Sequence, residues 1–127
     1  MSTRAPQHHR WTDLSSQALT ESIQRRYFTA DRVTVARFEL KKGGVVPRHA
    51  HENEQVSCVL TGALRFTFDD GEVVVGAGEV MQIPGGIAHE VTVLEDTLVL
   101  DIFSPVRQDW IDGTDTYFRD SGLGTRD

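Results

Sequence analysis

The sequence predicts an all-β domain, a sandwich or a barrel, on three observations. Turn residues punctuate it densely: Gly43-Gly44, Pro47, Gly62, Asp69-Asp70-Gly71, Gly76, Gly78, Pro84 and Gly85-Gly86 cut the chain into segments of about five to eight residues. The segments between these breaks are rich in β-branched and aromatic side chains. No ten-residue stretch within 30–103 reads as an uninterrupted helix. Short strands separated by turn signals at such intervals are the pattern of a closed or double-layered β fold.

Taken in order, the predicted strands are 32–40, 55–61, 63–68, 72–75, 80–83, 90–94 and 97–103. Within 63–68, Leu64, Phe66 and Phe68 alternate with Ala63, Arg65 and Thr67, the period of two that places one set on an apolar face. Asp70-Gly71 supplies the positive φ of a tight hairpin. Helical signals are weak. Leu14, Ala18, Leu19 and Ile23 have helical spacing, yet 23–28 also reads as a strand, and 105–112 is a candidate turn of helix after Pro105.

At 127 residues the chain predicts one domain, 11–118, between a flexible N-terminus, 1–10, and a polar C-terminal tail, 119–127. His8-His9, in the first of these, reads as an exposed pair. With 39% hydrophobic and 25% charged residues the composition is that of an ordinary soluble protein. A formal charge of −6 argues against non-specific nucleic-acid binding. No run of 18 apolar residues offers a membrane span, and the first twenty residues show no secretory signal. One cysteine, Cys58, excludes an internal disulfide framework. The expectation is a cytoplasmic protein with Cys58 reduced.

His49-Ala50-His51 is the first feature that composition does not explain. On a strand, residues i and i+2 share a face, so both imidazoles would project together, and Gln55 has the same parity if the strand continues. Glu52, Glu54 and Cys58 have the opposite parity, which points Cys58 away from the site as a buried thiol. His89 follows the sharp turn Pro84-Gly85-Gly86 and would enter the next strand beside them. Three imidazoles and one amide oxygen suit a divalent first-row transition metal, with coordination positions left for water or substrate. The expected cofactor is one such ion, among Ni, Fe, Mn, Zn and Cu, held by His49, His51, Gln55 and His89.

The spacing of these residues resembles the two cupin motifs. Gly43-(five)-His49-Ala50-His51-(three)-Gln55-(six)-Gly62 is similar to the first, and Gly78-(five)-Pro84-Gly85-Gly86-(two)-His89 to the second. Two departures stand out: Gln55 replaces the usual glutamate of the first motif, and Val93 the asparagine that often ends the second. The resemblance covers roughly 20–105 and implies a jelly-roll β-barrel (a double-stranded β-helix) with the metal inside. It also implies a homodimer, which would cover exposed strand edges.

The run from Leu94 to Trp110, containing Asp101-Ile102-Phe103-Ser104-Pro105-Val106-Arg107, resembles the KdgF-like cupins, which open 4,5-unsaturated uronate rings in pectin and alginate breakdown. That resemblance carries proton transfer and substrate contact onto Asp101, Phe103 and Arg107, with a small anionic sugar acid as the partner. The residues themselves are compatible with it. Val99, Asp101 and Phe103 share one strand face, and a carboxylate in such company is costly unless paired, hydrated or used. A structural Asp101 and a surface Arg107 are the plain alternatives. Phe66, Phe68 and Met81 read as core or lumen lining; Trp11 and Trp110 as cover for a barrel end or subunit interface, or as substrate contacts. Two other functions fit a cupin barrel: a dioxygenase using Fe or Cu, and a non-catalytic sugar-binding module.

Overall fold

The computed structural model describes residues 5–115. The predicted tail, 119–127, lies outside the described residues, as do 116–118 and 1–4. A 3₁₀ turn, Trp11–Asp13, precedes ten strands: β1 Gln17–Thr20, β2 Ile23–Thr29, β3 Thr34–Leu40, β4 Val45–His49, β5 Glu54–Thr61, β6 Ala63–Phe68, β7 Gly71–Gly76, β8 Val80–Ile83, β9 His89–Val93 and β10 Thr97–Ser104. One short helix, α1 Gln108–Asp112, follows. All seven predicted strands form, most within one or two residues of their expected ends. The stretch 14–23 is not helical: it supplies β1 and the start of β2, which pair antiparallel.

The strands make two antiparallel sheets, one ordered β1-β2-β3-β10-β5-β8 and the other β4-β9-β6-β7. This is the jelly-roll barrel that the motif resemblance implies. The period-two pattern fills the space between the sheets with Ile23, Ala36, Phe38, Leu40, Val59, Ile83, Val99 and Phe103 from the first and Leu64, Phe66, Val75, Val91 and Val93 from the second. The link from β5 to β6 is tight enough to require glycine. Gly62 has φ +90°, and a Cβ there would lie 2.3 Å from the Asp96 carbonyl oxygen and from Thr97 Oγ1.

Register across the six-stranded sheet sets which inward side chains become neighbours. One row runs Tyr27, Ala36, Asp101, Ser57 and Met81; the next runs Thr29, Thr34, Phe103, Gln55 and Ile83. Cys58 points to the opposite, outer face as parity predicts, but it is half-buried rather than buried, between Leu100 and Val80. On that outer face Ile102 and Val80 are exposed, while His9 and Trp11 pack against Phe28. Among those residues no helix is long and apolar enough to cross a membrane.

Candidate metal centre

His49, His51 and His89 come together at one end of the barrel, with a ring nitrogen of each within 4.8 Å of the others. The convergence is as expected, but not for the expected reason. His49, His51 and Gln55 do not share a strand: β4 ends at His49, the chain crosses between the sheets through 50–53, and β5 starts at Glu54. His49 therefore projects from the four-stranded sheet, directly opposite His89 in the β4–β9 register, with an irregularity in pairing between Val46 and His49. Gln55 projects from the six-stranded sheet. His51 sits on the crossing loop between them. Glu52 and Glu54 are exposed, and Glu54 accepts a hydrogen bond from Gln82 rather than joining the cluster.

The backbone decides which nitrogen of each ring bears the proton. Nδ1 lies 2.8 Å from the Pro47 carbonyl oxygen in His49, 3.1 Å from that of Asn53 in His51 and 2.8 Å from that of Ile87 in His89. A carbonyl only accepts, so each Nδ1 donates and each Nε2 carries the lone pair. All three rings remain neutral at neutral pH. Burial pushes His49 down to about 3 and His51 to about 4, and lowers His89 as well; the neighbouring cations, including Arg107, add to the effect.

Two contacts then need a cation to make sense. His51 Nε2 and Gln55 Oε1 are 3.1 Å apart, an acceptor facing an acceptor, because Gln55 turns its Nε2 to donate to Ser57 Oγ at 3.0 Å. His89 Nε2 is fully buried with no hydrogen-bond partner among the described residues. A buried orphan acceptor is costly. A divalent ion held by the three imidazoles and the Gln55 amide oxygen would satisfy these lone pairs, so the residues present fit a metal.

The loop bearing His51 is held from three sides. Gly86 N–H donates to the His51 carbonyl oxygen at 2.8 Å. Gly85 approaches so closely that a Cβ would lie 2.2 Å from the Glu52 carbonyl oxygen. Asn53, buried, donates through Nδ2 to the carbonyl oxygens of Pro105 and Val106 at 2.5 and 3.1 Å, tying the loop to the segment leading to Arg107. The Pro84-Gly85-Gly86 turn thus positions two ligands, His89 by following it and His51 by packing on it. Gly85→Ala is expected to lower metal affinity about 10- to 100-fold although Gly85 touches no metal. Chelator competition measures this, and wild-type affinity in the variant would show that the loop is not what places His51.

Asp101 faces inward beside Ser57 and Ala36. Burial raises its carboxyl to about 6, partly offset by a hydrogen bond from the Ser57 hydroxyl and the positive charge of Arg107. Ser57 thus lies in a chain running from Gln55 through its own hydroxyl to Asp101. Phe103, the cross-strand neighbour of Gln55, packs edge-on against His51 with centroids 5.6 Å apart. Arg107 is no surface residue: it is 1% exposed, stacks over Phe103 and Trp110, and donates from Nε and Nη2 to both carboxylate oxygens of Asp109 at 2.9 and 2.7 Å. Its carboxylate partner in this structure is in its own chain. His49, Gln55, His89, Asp101, Phe103 and Arg107 border one cavity of about 40 Å³, whose mouth α1 partly covers with Trp110. That space takes an ion with a few waters, or the reacting end of a larger ligand.

Asn53, Ser57 and Trp110 belong to this site, and of these sequence reasoning weighed only Trp110, among several alternatives. Ser57 was legible as the next residue of Gln55 parity. Asn53 carried no signal, because its partners at 105 and 106 are distant in the chain.

The family model for the cupin domain matches residues 36–103. No curated protein matches the chain. Among solved structures, KdgF from Halomonas sp. has a TM-score of 0.72 and 26% identity over 78% of this chain and 94% of its own. An RmlC-like cupin from Shewanella frigidimarina has a TM-score of 0.76 and 21% identity, over 84% of this chain and 96% of its own. Oxalate decarboxylase from Bacillus subtilis, a protein with Mn(II) centres, has a TM-score of 0.72 and 20% identity, over 83% of this chain but 31% of its own. With the two motifs, the barrel and the inward histidines in agreement with a family model covering more than half of its length, this chain belongs to the cupin family.

Proposed function

We propose that this cupin is a metal-dependent enzyme that opens the ring of a small anionic sugar acid of the unsaturated-uronate type. The observation that carries the reading is the placement of a buried, inward carboxyl, Asp101, in the same cavity as His49 and His89 of the three-histidine cluster. The ligands are His49, His51, Gln55 and His89. A divalent ion held there supplies Lewis acidity toward a substrate oxygen. The resemblance of the 94–110 run to the KdgF-like cupins, and the likeness to KdgF from Halomonas sp., support the choice of substrate.

In ring opening, the hemiacetal hydroxyl loses a proton, the bond from the anomeric carbon to the ring oxygen breaks, and a proton is returned to carbon 4 of the released enolate, which leaves a ketone. No oxidant and no net proton is required. A carboxyl near 6 exists in both forms close to neutral pH, so Asp101 can take the first proton and return it. Ser57 holds the carboxylate by a hydrogen bond, and Phe103 walls the cavity on the His51 side. Arg107 keeps the cavity electropositive, which favours an anion; its charge is felt at His49, His51, His89 and Asp101. A six-carbon acid exceeds the cavity, so its remainder lies in the mouth under α1.

Metal-loaded protein is expected to accelerate loss of the ultraviolet absorbance of the conjugated double bond of a 4,5-unsaturated uronate, and chelator-treated protein is not. A rate equal to the spontaneous one in loaded protein would remove the proposal. The small cavity favours one other reading, a metal-dependent dioxygenase, and oxygen uptake during turnover separates it from ring opening.

A further inference from the structure

Trp110 poses a problem that the reaction above leaves unsolved. Its indole is 5% exposed and lines the cavity, yet its Nε1–H has no hydrogen-bond partner among the described residues. Buried indole N–H groups normally find an acceptor. The ring is not at liberty to turn toward one. Arg25 and Arg107 place guanidinium carbons 4.1 and 4.4 Å from its centroid, Phe103 packs edge-on at 5.1 Å, and Tyr27 lies 5.0 Å away. These contacts fix the indole ring in the wall of the cavity whether or not anything accepts from its N–H.

The chemistry of the missing partner follows from what surrounds it. An indole N–H only donates, so the partner has an oxygen lone pair. The two guanidinium groups against the ring are paired, Arg25 with Asp115 and Arg107 with Asp109, so the choice of an anionic oxygen comes from the anionic ligand proposed above. Among the described residues the other buried polar atoms without partners are His89 Nε2 and Asp101 Oδ1, and both residues border the same cavity. An anionic ligand seated between the metal end and α1 meets the remaining donor with a carboxylate oxygen.

We propose that Trp110 is a substrate-binding residue whose indole N–H holds a carboxylate oxygen of the ligand in the barrel cavity. The proposal rests on the reading of this cavity as a metal-assisted site for an organic anion. It gives α1 a role beyond covering the mouth: the helix carries the anion's hydrogen-bond donor, so ligands without a carboxylate lose this contact.

The test uses zinc-loaded, ¹⁵N-labelled protein at constant ionic strength, zinc being diamagnetic. The chain has two tryptophans, Trp11 and Trp110, hence two indole N–H resonances, which Trp11→Phe assigns. Acetate and D-galacturonate are the probes. The expected result is a saturable downfield movement of the Trp110 resonance with Trp11 unmoved, and at least a tenfold weaker calorimetric affinity in Trp110→Phe with zinc affinity unchanged. If the probes bind but the Trp110 resonance stays in place, water alone satisfies the indole; this inference fails and the anion site stands. If zinc binds and neither probe does, both fail. The wild-type titration decides the matter even if the variant does not fold.

Discussion

Replacing His89 with alanine is expected to abolish tight metal binding and reduce ring-opening activity to background. His89 is 1% exposed, its Nδ1 is committed to the Ile87 carbonyl oxygen, and its Nε2 has no partner among the described residues. It faces His49 across the β4–β9 register, with ring centroids 4.4 Å apart. Glu52 and Glu54, the carboxylates flanking the loop that bears His51, are exposed. Losing an outer-shell partner costs about 10- to 100-fold in metal affinity, so loss of a ligand exceeds that range. Elemental analysis after dialysis, with chelator competition, measures it. One equivalent of metal retained by the variant at wild-type affinity would overturn the assignment of the centre.

Asp101→Asn is expected to slow turnover by about 10²–10⁴ while leaving metal content intact. The same substitution should stabilise the metal-free protein above neutral pH. Folding raises this carboxyl from 3.8 to about 6, so between those values the native state holds a proton that the unfolded chain releases. The stabilisation from that proton is complete below the unfolded value and disappears as pH rises through the folded one, leaving a penalty of about 3 kcal/mol at higher pH. Asparagine cannot ionise and still accepts from Ser57. The variant's thermal midpoint should therefore exceed that of wild type at pH 8, and the two should converge near pH 4. An unaltered rate would remove Asp101 from the chemistry, and a lower midpoint at pH 8 would mean the carboxylate is paired in the native state.

The strands were legible because half-buried strands repeat every two residues and glycine, proline and Asp-Gly mark where they end. That local signal placed Val99, Asp101 and Phe103 on one face and Cys58 on the other. The same rule, applied across 49–55, expected His49, His51 and Gln55 to cluster, and they do so through a different geometry. Parity holds only while a strand lasts, and the chain leaves β4 at His49. Motif spacing succeeded there because it records the outcome of the crossing without describing it.

By itself the sequence determined the all-β class, the strand positions, the clustering of His49, His51, Gln55 and His89 and the face that Asp101 shares with Val99 and Phe103. All of these follow from spacings within about ten residues, or from two motifs matched in order. Only the tertiary structure decided that Gly85 packs against the loop bearing His51, that Asn53 ties that loop to 105–106, and that Ser57 lies beside Asp101. It alone also decided that Arg107 is buried against Asp109 and Trp110, and that Trp110 closes the cavity with an unmet donor. The reason is that each is a contact between segments far apart in the chain. Strand order and register choose such contacts, and neither leaves a local trace in the amino-acid pattern.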